Sequence, residues 1–110
     1  MVSANFDGKP LAADMVKWCT RTTRGDNTVV MAGPQTMLKA RFALDPSKKP
    51  GAIDYVNLHG GDKGKTQLGI YELIDDRLTI CMSPPSKPRP EAFESSRGDG
   101  RSLTVWRRTA

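Results

Sequence analysis

Gly69-Ile70-Tyr71-Glu72-Leu73-Ile74-Asp75-Asp76-Arg77-Leu78-Thr79-Ile80-Cys81-Met82 is the most legible stretch of the chain, two alternating runs flanking a pair of aspartates. Aspartate tolerates the left-handed backbone that a tight hairpin turn demands, so Asp75-Asp76 reads as a two-residue loop. With that loop, Leu73 faces Leu78, Tyr71 faces Ile80 and Gly69 faces Met82. Side chains alternate across a strand, which puts these six on one face and Glu72, Arg77, Thr79 and Cys81 on the other. The spacing predicts one dry face and one mostly wet face.

The same logic extends outward to residues 36–44. Leu38, Ala40, Phe42 and Leu44 fall on one side there, with Lys39 and Arg41 on the other. Ten glycines and eight prolines punctuate the chain about every ten residues, separating short segments rich in Val, Ile, Leu, Thr and aromatics. The expected strands are 2–6, 18–23, 28–32, 36–44, 53–58, 66–74, 77–82 and 102–108, with a further short one near 92–95. A single helical turn or two is expected over 11–17, with Pro10 as a first-turn proline and Asp14 at the favourable end. The fold class is therefore all-β, antiparallel, with about eight strands. Periodicity leaves a sandwich and a closed barrel both open, although closure would remove exposed edges.

One hundred and ten residues suffice for one domain, spanning residues 1–110, and one core. Three Phe, two Tyr and two Trp make that core mainly aliphatic. No apolar run approaches the ~20 residues that cross a bilayer, and no signal peptide precedes the first strand. The expectation is a soluble chain, cytoplasmic by default. A net charge of +5 biases the surface towards polyanions without defining a function. Cys19 and Cys81 are too few for a disulfide scaffold and lack zinc-site spacing, so they set no redox compartment.

Several motifs dissolve on inspection. His59-Gly60-Gly61-Asp62-Lys63-Gly64-Lys65-Thr66 imitates a phosphate loop, but His59 occupies the position of the first glycine and Thr66 opens a strand instead of a helix. His59 is the only histidine, which excludes multi-histidine metal sites, and no serine lies in a nucleophile-elbow sequence. Arg24-Gly25-Asp26 and Arg97-Gly98-Asp99 spell an adhesion tripeptide at places where a turn needs Gly-Asp. The proline-rich run 83–90 reads as a stiff connection between strands. No catalytic residues, metal or cofactor are expected, and the chain is not read as an enzyme.

Nucleic acid is disfavoured as a partner. Arg21, Arg24, Lys39, Arg41, Arg77, Arg107 and Arg108 could gather on a wet face, but single-strand binders interleave such residues with exposed aromatics. Trp106, flanked by Thr104 and Arg108, is the one aromatic expected there. A small apolar ligand in the barrel is the preferred partner, held against Phe42, Tyr71, Leu73, Leu78 and Ile80. An exposed edge strand offers a different partner, a second copy or another protein.

The sequence also resembles the lipocalin-like domains of unknown function found in planctomycete bacteria. The resemblance is carried by Val2-Ser3 and Phe6-Asp7-Gly8-Lys9-Pro10-Leu11, then by Phe42-Ala43-Leu44-Asp45-Pro46-Ser47-Lys48-Lys49-Pro50 with Ala52-Ile53-Asp54. It continues through Gly64-Lys65-Thr66, Gly69-Ile70-Tyr71-Glu72-Leu73, Leu78-Thr79-Ile80-Cys81, Arg89-Pro90 and Phe93. It implies a small antiparallel lipocalin-like β-barrel, used as a binding or structural module, with no catalytic residues to carry over. Relatives begin with a Gly-x-Trp stretch, whereas this chain starts at Met1-Val2-Ser3, which implies a shortened first strand and a barrel open on one side. Relatives also place glycine at the position of Asp75.

Overall fold

The computed structural model describes residues 1–107. Within them, nine strands and one short helix run in the order β1 (Ser3–Phe6), β2 (Lys9–Pro10), α1 (Ala13–Trp18), β3 (Cys19–Arg24), β4 (Asn27–Ala32), β5 (Gln35–Asp45), β6 (Gly51–Asn57), β7 (Thr66–Ile74), β8 (Arg77–Met82) and β9 (Ser102–Arg107). All nine strands form a single antiparallel sheet in the order β2-β1-β9-β8-β7-β6-β5-β4-β3. The all-β, barrel-like class expected from the sequence is the one found.

The 69–82 hairpin has the anticipated register, with Leu73 opposite Leu78, Tyr71 opposite Ile80 and Gly69 opposite Met82. Asp75 takes the left-handed conformation at φ +55°. Gly69 is required because a Cβ there would run into the Met82 sulfur and the Cys81 carbonyl. Gly25 and Asp26 form the two-residue turn between β3 and β4, where Arg24 pairs with Asn27.

The sheet curls until its two ends meet in the interior. Cys19 and Val30 from one end share a core with Met82 and Trp106 from the other. The Arg21 guanidinium on β3 lies over the Trp106 ring on β9, 4.6 Å from its centroid. At the seam the Met1 amine donates to the Cys19 carbonyl at 3.1 Å, although no ladder joins β1 to β3 among the described residues. The result is a curled half-barrel whose edges approach without zipping.

Five expectations are corrected by these placements. Trp106 is only 5% exposed and belongs to the core, because its indole N–H is satisfied by Thr104 and its ring by Arg21. Arg21 points inward, since it alternates in phase with buried Cys19. Arg108, its expected companion on the wet face, lies outside the described residues. Pro10 sits in β2, paired with Asn5, and the helix starts three residues later. Residues 92–95 form no strand.

Cys81 is the fifth correction and the most informative. It is fully buried although it projects from the convex face of the sheet, as does Ile70 opposite it. Residues 83–101 cover that face as a strap. The Cys81 thiol donates to the Glu94 carbonyl at 3.4 Å. Arg89 donates to the Gly69 and Ile53 carbonyls at 2.7 and 3.3 Å and pairs with Asp54 at 2.7 Å. At the strap's far end Asp7 accepts the Gly98 and Gly100 N–H groups, and the Ser95 hydroxyl accepts the Gly8 N–H. Asp99 accepts the Arg101 and Ser96 N–H groups, and these bonds hold its carboxyl below the usual range.

Burial also pushes the Cys81 thiol above its ordinary pKa, which suppresses the reactive thiolate. Cys19 is buried too, at 4% exposure. Native protein at pH 8 is therefore expected to give no rapid reaction with an aromatic disulfide reagent, and two thiols after denaturation. Rapid titration of one thiol in native protein would show that the strap does not cover Cys81.

Candidate functional site: an apolar cavity with an arginine inside

The interior is filled unevenly. At the end that carries the 33–34 turn, Cys19, Val30, Ala32, Ala40 and Met82 pack into a solid core. At the opposite end, between the β3–β4, β5–β6 and β7–β8 turns, a cavity of about 220 Å³ remains. Phe42, Tyr71, Leu73, Leu78 and Ile80, the five residues singled out from the sequence, all border it.

Burial orders the wall from floor to rim. Thr28, Ile53, Tyr55 and Ile80 are 1 to 5% exposed and form the floor. Leu44 and Leu73, at 49% and 61%, form an apolar rim open to solvent. Tyr71 stands on the wall where its ring covers Gly51; a Cβ at Gly51 would occupy the space of that ring.

Sequence reasoning missed Arg21, Thr23, Thr28, Ile53 and Tyr55, and placed Leu44 inward without assigning it to the site. Ile53 and Tyr55 share a face of β6 by simple alternation, which was a usable signal. Arg21 gave none, because a cation at an inward position contradicts the pattern that identifies inward positions.

Polar chemistry is concentrated around that arginine. Its Nη1 donates to Thr28 Oγ1 at 2.9 Å and to Tyr55 Oη at 3.0 Å. Thr28 and Thr23 hydroxyls share a further bond at 3.2 Å. Arg21 Nε is buried with no hydrogen-bond partner among the described residues. The ion pairs among the described residues are Arg41 with Asp26, Lys65 with Asp62 and Arg89 with Asp54, so Arg21 has no carboxylate there. His59 is exposed on the 58–65 loop at the other end of the barrel, and Thr66 opens β7 as a strand connection requires.

Comparison with family models, with curated proteins and with solved structures finds no match. No helix among the described residues is long and apolar enough to cross a membrane.

Proposed function

We propose that this protein is a non-catalytic, lipocalin-like binding module that takes a small lipophilic ligand into the open half of its barrel. The observation that carries this reading is the unfilled cavity of about 220 Å³, walled by aliphatic and aromatic side chains and open through Leu44 and Leu73. An apolar cavity of this kind forfeits dispersion contacts that a ligand would restore, and its exposed rim gains by being covered. The polar groups in the wall are a guanidinium and hydroxyls bonded to one another, which suits orientation of a ligand better than proton transfer.

A basic outer face supports nucleic-acid binding less well than its charge suggests. Arg21 is turned inside, Arg41 is paired with Asp26, and Trp106 is buried away from any stacking partner.

Thermal unfolding with a panel of C6 to C12 alcohols and aliphatic acids tests the proposal. A ligand at a hundred times its Kd stabilises by ~2.7 kcal/mol, which raises Tm by about 10 °C in a domain of this size. A Tm that stays flat across the whole saturating panel overturns the reading.

A further inference from the structure

A cation without a counter-ion is costly in an apolar enclosure, and Arg21 has no counter-ion among the described residues. Exposed arginines satisfy themselves with water; Arg21 instead is half-buried, with its Nε–H shielded from solvent and unpartnered among the described residues. Both of its bonds leave from Nη1 and end on neutral hydroxyls. Trp106 supports the guanidinium from below and supplies some cation–π stabilisation, but no negative charge. Neutral partners offset the loss of water around a charge less well than an opposite charge that also accepts its hydrogen bonds.

The geometry around it is that of a half-made anion site. A guanidinium presents five N–H donors in a plane, a fork that matches the two oxygens of a carboxylate. Tyr55 is 2% exposed, and its Oη already accepts from Arg21, which leaves its own O–H to donate. These groups line the same cavity as Phe42, Leu73 and Leu78, with the rim leucines at the exposed end. Head and tail requirements are therefore met in one enclosure, charge by the buried arginine and grease by the wall.

We infer that the ligand of this cavity is a medium-chain aliphatic carboxylate, its carboxylate paired with Arg21 and Tyr55 and its alkyl chain running out between Leu44 and Leu73. This inference rests on the lipophilic-ligand reading above and adds the head group to it. The volume sets the chain length. At ~30 Å³ for each small group, about the share of one liquid water, a cavity of about 220 Å³ holds roughly seven. Octanoate fills it, and longer chains project into solvent past the rim.

Calorimetric titration of the intact protein with octanoate, octan-1-ol, octylamine and acetate tests the inference, with intrinsic tryptophan fluorescence as a second readout. Octanoate is expected to bind about tenfold to a hundredfold more tightly than octan-1-ol, the range of a charge-assisted hydrogen bond. Acetate and octylamine are expected not to bind. From hexanoate to octanoate the affinity should rise about fourfold per methylene, then level off in longer chains, whose added methylenes lie outside the cavity. Arg21→Met should abolish the preference for acid over alcohol while retaining alcohol binding, and Tyr55→Phe should reduce that preference in part. Equal affinity for octanoate and octan-1-ol in the wild-type protein overturns the head-group assignment and leaves the lipophilic-ligand reading standing. Failure of every eight-carbon probe to bind overturns both. These arms use the unmodified chain, so neither outcome depends on the variants folding.

Discussion

Trp106→Ala is expected to destabilise the protein by about 3–5 kcal/mol, the range for removing a buried aromatic, out of a total that for a domain of this size is commonly ~5–15 kcal/mol. The reason lies in how the barrel is held shut. Its ladders run without interruption from β2 round to β3, but the seam between β1 and β3 has only the Met1 amine on the Cys19 carbonyl among the described residues. Curvature must then be maintained from inside. Trp106 does this from β9, since its ring meets Arg21 of β3 across the interior and its Nε1–H bonds Thr104 Oγ1 at 2.8 Å. Alanine would remove the ring over which the Arg21 guanidinium lies, and leave a void beside a charged group that has no carboxylate among the described residues. Trp106→Phe keeps most of the volume and loses the N–H, so a smaller cost of about 1–2 kcal/mol is expected. Urea unfolding followed by far-ultraviolet circular dichroism measures both. A loss below about 1 kcal/mol for the alanine variant would mean that the sheet curls without this contact.

Alternation along single strands made the sheet legible. Every inward residue of the 69–82 hairpin was readable because an apolar residue or glycine recurs at every second position and Asp75-Asp76 fixes the register. The five cavity residues followed from the same pattern, since a residue that faces inward near a turn borders whatever space the turn leaves open. Two kinds of information were absent. One is what covers the outside: nothing in Cys81 or Ile70 announces that residues 83–101 fold back over them, because that contact is made between segments with no shared periodicity. The other is polar residues inside. Arg21, Thr104 and Trp106 read as part of a wet face by composition, yet in the interior Trp106 bonds Thr104, and Arg21 lies over the Trp106 ring and donates to Thr28. A rule that assigns faces by polarity must fail at the place where a barrel stores a charge.

Arg89→Ala is expected to cost about 2–4 kcal/mol, through the strap and not through the core. Hydrogen bonds from a charged donor contribute ~1.5–3 kcal/mol each, and the figure is set below their sum because the Arg89 side chain is 30% exposed. Its guanidinium reaches two carbonyls on neighbouring strands, Ile53 on β6 and Gly69 on β7, and Asp54 besides. Lysine offers a point charge in place of a fork, so Arg89→Lys should recover less than half of the loss. Asp54→Asn should cost less than either, because both carbonyl bonds survive it. Thiol chemistry separates the strap from the rest: in Arg89→Ala, Cys81 should become reactive to thiol reagents well before the midpoint of global unfolding, while Cys19, on the opposite face of the sheet, stays protected. Equal exposure of the two thiols would instead show the strap and the sheet melting as one unit. Ile53 links the strap to the site, with its carbonyl held by Arg89 and its side chain in the cavity wall. Loosening the strap should therefore weaken octanoate binding as well, by less than tenfold, because Arg21 itself stands on β3, which makes no hydrogen bond to the strap among the described residues, and of the two head-group partners only Tyr55 shares β6 with Ile53.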